Sequence, residues 1–259
     1  MKQERNGNGV DCFRLTYLKS PGLEKSDFEE PCSSYGNGKI ESPSLPSPGD
    51  PIPETFSSEA VLKQAKADLK HPDPQVRILA IRYYLEKSYP SIPLSLLQEI
   101  LSDRDPDVRA QALRSLIKFR SPIISPLLKK YLKDRDSRVR IAALRGMFQY
   151  QERVDLNIFL QFLSDESTWV RRKVATLLGW SQIEGALPIL KELSRDVHSM
   201  VRRAALFSLA TLYPDEGENL LIEAMTDPDP DLRKWAKTTL EKILARPSKG
   251  KTASLTSRG

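Results

Sequence analysis

Valine or leucine followed by arginine recurs at Val76-Arg77, Val108-Arg109, Val139-Arg140, Val170-Arg171, Val201-Arg202 and Leu232-Arg233, in steps of 32, 31, 31, 31 and 31 residues. A register kept over six copies restricts the chain to one supersecondary unit used repeatedly. Each copy carries the same punctuation. Five residues ahead of the apolar residue stand Asp103, Asp134, Asp165, Asp196 and Asp227, with His71 in the first copy. Three ahead stand Asp73, Asp105, Asp136, Ser167, His198 and Asp229, followed by Pro74, Pro106, Ser137, Thr168, Ser199 and Pro230. An oxygen-bearing side chain before proline starts a helix: the oxygen accepts an orphan amide, and proline gives up a donor that had no partner. Both histidines occupy turn positions where other copies have Asp, and are expected to substitute for it as caps.

Counting from the Val or Leu as zero, position +4 is Ala80, Ala112, Ala143, Val174, Ala205 and Ala236, and position +8 is Tyr84, Leu116, Met147, Leu178, Leu209 and Leu240. That spacing is one apolar stripe on a helix. Upstream of each turn lies a second amphipathic segment, at 60–69, 94–101, 123–132, 156–163, 186–193 and 220–225. Between copies stand the breakers Tyr89-Pro90, Ser121-Pro122 and Tyr213-Pro214. Each period therefore reads as two antiparallel helices joined by a tight turn, with no alternating pattern to suggest a strand. One such pair cannot bury its own apolar faces, so six must stack into a curved rod with a continuous core.

Composition separates the ends from this array. Residues 1–54 hold seven Pro, six Gly and seven Ser and a net charge of −3, too little apolar surface to offset ordering. They are expected to be disordered, as is the basic tail at 246–259, leaving 55–245 as the folded unit. The only cysteines, Cys12 and Cys32, fall in the head, where they staple no core and lack the companions of a zinc site. The first residues lack a secretory leader's apolar stretch, and no apolar run reaches membrane-spanning length. The expectation is a soluble, cytoplasmic chain with no membrane association.

The pattern Asp-x-Asp-Pro-x-Val-Arg-x-x-Ala-x-x-x-Leu, seen in Asp103, Asp105, Pro106, Val108, Arg109, Ala112 and Leu116, resembles the HEAT-like repeats of the phycobilisome-lyase type. The resemblance runs from about Ser57 to Leu244. It implies an all-α fold, a right-handed α-solenoid of six two-helix repeats between disordered termini. It also implies that the second helix of each pair lines the concave wall, and that the protein serves as a binding platform.

Two sets of charges stand out. On a wheel of 100° per residue the arginine at +1 falls beside the apolar stripe and points into the seam between helices. There it needs a partner, and the Asp at −5 of its own or the adjacent turn is at hand. Arg109, Arg140, Arg171, Arg202 and Arg233 with Asp103, Asp134, Asp165, Asp196 and Asp227 are accordingly expected to form a structural ladder. The second set faces the other way. Arg82, Arg114 and Arg145 occupy +6 in the first three copies, whereas Arg172, Arg203 and Lys234 occupy +2 in the last three. Six cations thus line one face in a stripe that steps at mid-molecule, with acids confined chiefly to Glu86 and Glu241 and with Phe148, Trp180 and Phe207 as apolar anchors. Such a face suits another protein, particularly an acidic or anionic segment.

Enzymatic readings find little support. Deoxyhypusine hydroxylase, built of similar repeats, holds iron through His-Glu pairs, and this sequence contains no His-Glu dipeptide. It has no Gly-x-Ser-x-Gly, P-loop or dinucleotide-binding motif, so no catalytic residue, metal or cofactor is expected. A phycobilin-lyase-like accessory subunit shares only the repeat consensus. A nucleic-acid-binding solenoid fits the stripe, although Trp169, Trp180 and Trp235 occupy different repeat positions and the folded region's net charge of +5 is modest for that role. The sequence leaves the oligomeric state open.

Overall fold

The computed structural model describes residues 63–64, 67–82, 93–118, 124–150, 155–181, 183 and 185–245. The head, the tail, Cys12, Cys32, Glu86 and the breakers at Tyr89-Pro90 and Ser121-Pro122 lie outside them. Among the described residues the elements are all helical: α1 (Pro74–Ala80), α2 (Leu94–Leu101), α3 (Pro106–Ile117), α4 (Ile124–Tyr131), α5 (Ser137–Tyr150), α6 (Leu156–Leu160), α7 (Thr168–Ser181), α8 (Ala186–Leu193), α9 (Ser199–Leu212), α10 (Pro214–Ala224) and α11 (Pro230–Leu244). The odd-numbered helices follow the repeated turns, and the even-numbered ones precede them.

The punctuation sets these starts as the sequence implies. Asp73, Asp105 and Asp229 accept amides from the first turns of α1, α3 and α11, each of which has proline in that turn. Asp136 takes the Arg138 amide at 2.9 Å. His71 does serve as a substitute, its Nδ1 accepting the Asp73 amide at 3.1 Å as the Asp at that position does elsewhere. His198 does not: it stands at the N-cap of α9 without a side-chain capping bond. Another departure is at Tyr213-Pro214. Proline there opens α10 instead of merely ending α9, so the helix begins six residues before the expected 220, because proline is tolerated in a first turn. Gly185, at φ 91°, supplies the left-handed turn into α8 that a side chain would strain.

Consecutive odd helices α1, α3, α5, α7 and α9 lie directly on one another; α2, α4 and α8 pack mainly on the odd helix that follows them, whereas α10 packs more closely on α9 than on α11. The odd helices therefore form the continuous side of the stack. An odd helix is consequently buried over more of its circumference than a single stripe. Positions +4 are all fully covered, and +5 is buried as Ile81, Leu113, Leu144, Ala175 and Leu206. In α11 that position is Lys237, exposed at the end of the stack.

One apolar core runs from Ile81 to Leu209. The last pair adds a smaller cluster of Leu206, Leu221, Ala224, Leu232 and Ala236. It docks through a close helix crossing, in which a Cβ at Gly217 would lie 2.6 Å from the Ala210 backbone nitrogen. Only glycine permits that approach.

Candidate functional site

Beneath the surface runs the arginine ladder. The +1 guanidiniums are interior groups: Arg77, Arg109, Arg140 and Arg171 are between 4 and 8% exposed. Each donates Nε and Nη2 in a two-pronged bond to the Asp of the following turn, never to that of its own. The pairs are Arg77–Asp103 (2.8 and 2.9 Å), Arg109–Asp134 (3.0 and 2.7 Å), Arg140–Asp165 (2.9 and 2.7 Å), Arg171–Asp196 (2.6 and 3.0 Å) and Arg202–Asp227 (2.8 and 2.5 Å). The arginine's own turn contributes carbonyls instead, as when Arg140 Nη1 donates to Asp134 O and Arg135 O at 3.0 Å each. Each Asp also accepts an amide two residues on, for example Ser167 N to Asp165 Oδ1 at 2.8 Å.

Two corrections to the sequence reading follow. Arg77 belongs to the ladder, although the expected set began at Arg109. Arg233 has no carboxylate among the described residues and bonds only Asp227 O and Pro228 O; twenty-five residues on, where a partner would fall, stands Arg258. Burial raises the energy of an unpaired charge at these positions, and the pairing answers it. Arg109 and Arg171 are held above the usual guanidinium range, chiefly by their bonds to Asp134 and Asp196. Burial pushes the Asp196 carboxyl up, but the bond from Arg171 and the His198 amide outweigh it and hold it below the usual carboxylate range.

The stripe lies on the other side of the odd helices. Arg82, Arg145, Arg203 and Lys234 are exposed, whereas Arg114 and Arg172 are half-buried. The step at mid-molecule has a packing cause. Ala110 and Ile141, at +2 in the second and third repeats, are 0 and 9% exposed. A cation there would be desolvated, so it sits one turn on at +6. In α7 the +2 position is half-buried and in α9 and α11 it opens to solvent, and there it takes the charge.

The tryptophans, unaligned in sequence, meet the stripe in space. The Arg172 guanidinium stands 5.4 Å from the Trp169 ring centre, and that of Arg203 reaches across to Trp235 at 5.2 Å. The first contact is an i, i+3 pair legible on a helical wheel; the second joins α9 to α11 and depends on stacking. The anchors named from sequence are less available. Phe148 and Trp180 pack half-buried against the core, and Phe207 is half-buried as well.

The stripe is also less purely basic than expected. Asp107, seven residues before Arg114 and so on the same side of α3, accepts Arg138 Nη1 at 2.6 Å. Burial pushes its carboxyl above the usual range despite Arg138. Arg138 also grips Asp136 at 2.9 and 3.0 Å, holding that carboxyl low. Glu241 is exposed near the C-terminal end. Among the described residues no cluster of His, Cys, Asp and Glu has metal-holding geometry, and no helix is long and apolar enough to cross a membrane.

HEAT repeats match residues 58–147, 93–175, 124–210 and 190–257, overlapping blocks that take in most of the chain. No curated protein matches the sequence. Among solved structures, E. coli YibA superposes with a TM-score of 0.52 at 20% identity, over 74% of this chain and 80% of that one. The CpcE–CpcF complex of phycocyanin lyase from Nostoc gives 0.47 at 20% identity, over 76% and 79%. Human deoxyhypusine hydroxylase gives 0.35 at 16% identity, over 74% and 86%. Stacked helix pairs, a buried Arg–Asp rung between successive turns and repeat matches from residue 58 to residue 257 place this chain in the HEAT-repeat family.

Proposed function

We propose that the protein is a non-catalytic adaptor that takes an acidic segment of another protein along the inner face of its odd helices. HEAT-repeat scaffolds generally mediate protein interactions, and one observation favours this face: every one of six successive repeats turns a cation toward it. Arg82, Arg114, Arg145, Arg172, Arg203 and Lys234 are the binding residues. Helix packing distances of about 10 Å set the interval between neighbours, a spacing suited to an extended or helical segment carrying several carboxylates. The rings of Trp169 and Trp235 hold two of the guanidiniums in place and supply apolar surface beside them.

Binding of a fluorescein-labelled oligo-glutamate peptide tests the reading. Arg82→Glu, Arg145→Glu, Arg203→Glu and Lys234→Glu together alter four exposed side chains and none of the ladder. Peptide binding should fall at least about tenfold, equivalent to about 1.4 kcal/mol, with the circular dichroism spectrum unchanged. Undiminished binding by the quadruple variant refutes the assignment. Duplex DNA titrated alongside separates the nucleic-acid alternative: tight binding with a steep dependence on salt would favour it over a protein partner.

A further inference from the structure

The chain that carries the stripe also carries an acidic run. Residues 1–54 carry a net charge of −3, and residues 24–30 alone (Glu24, Lys25, Ser26, Asp27, Phe28, Glu29, Glu30) account for all of it. The rest of the head is balanced. That run, which lies outside the described residues, sets four carboxylates around one aromatic ring, the chemistry that six cations interleaved with Trp169 and Trp235 would select.

We infer that residues 24–30 occupy the stripe in cis, so that an acidic partner must displace them. This rests on the proposed function and names a regulator of the same face. Reach permits it. Thirty-two residues separate Glu30 from Lys63, where the described residues begin, and a chain of that length spans up to about 110 Å. Six helices about 10 Å apart occupy roughly 50 Å, so every stripe cation is accessible. Tethering also compensates for weak intrinsic affinity. At an effective concentration on the order of 1 mM, a segment with a Kd of about 0.1 mM lowers the apparent affinity of a competitor roughly tenfold.

The sequence supplies its own probes. All three tryptophans, Trp169, Trp180 and Trp235, lie in the described repeats, and Cys32 stands two residues past Glu30. Full-length protein with Cys12→Ser takes an energy acceptor on Cys32, and transfer from tryptophan reports the distance between head and stripe. The comparison variant carries Glu24→Gln, Asp27→Asn, Glu29→Gln and Glu30→Gln, changes that leave the tryptophans and their arginines untouched. Transfer at low salt should be at least about twofold greater with the native run than without it, independent of protein concentration, and salt should abolish the difference.

Equal transfer in the two proteins overturns the inference. Oligo-glutamate binding, measured on the same pair without label, isolates the cause. Roughly tenfold tighter binding by the neutralised head supports occupation in cis, and equal binding by both removes the inference while leaving the adaptor reading intact. Binding by neither defeats both.

Discussion

Arg140→Ala is the sharpest perturbation of this fold. Arg140 is 7% exposed, its partner Asp165 has a side chain 8% exposed, and the guanidinium donates five hydrogen bonds, to Asp165, Asp134, Arg135 and Glu166. Burial works against its charge, but Asp165 and Glu166 together outweigh it and hold the guanidinium above its usual range. Truncation leaves Asp165 in the seam with only the Ser167 amide, and removing one member of a buried pair costs about 3–5 kcal/mol. For a folded unit of this size each 1 kcal/mol moves Tm by about 2–4 °C, so a fall of about 10 °C is expected in a thermal melt followed by circular dichroism. Arg233→Ala is the internal control. That residue is exposed and bonds only two carbonyls, and its loss should stay below about 1 kcal/mol. Equal shifts for the two variants, or none for Arg140→Ala, would refute the view that the guanidinium holds neighbouring repeats together. Arg140→Leu with Asp165→Leu should recover much of the loss, since apolar groups can replace a buried pair without penalty.

Gly217→Ala should loosen the last helix pair, because the added carbon meets backbone at Ala210 and α10 has to move. Amide exchange in α10 and α11 should rise by at least tenfold while α3 and α5 keep their protection. At Gly146 the nearest atoms to an added carbon belong to the side chains of Leu128 and Ile117, which can shift, and Gly146→Ala should be milder. Acid should destabilise the fold in a definite window. Asp136 and Asp196 sit below their ordinary range when folded, so their contribution is complete above about pH 4 and is lost as pH falls through their folded values. Asp107 is shifted the other way and opposes that loss, so urea titrations of Asp107→Asn should show a steeper decline of stability on the acid side.

Sequence alone determined the period, the starts of the odd-numbered helices and the inward turn of the +1 arginines ahead of Arg233, because capping and helical periodicity act within about a dozen residues. The 31-residue register further implied stacking, since an isolated pair leaves its apolar side in water. It did not decide which Asp each arginine takes. The two candidates lie 6 residues before it and 25 after, and only the offset between stacked turns brings the second within reach of the Nε and Nη2 fork. The same stacking carries Trp235 beneath Arg203, closes +2 in the second and third repeats while opening it in the last two, and leaves Arg233 without a following carboxylate among the described residues. A wheel gives the direction of a side chain from its own axis; what it meets there depends on the neighbouring helix, which is positioned by the packing of the whole stack.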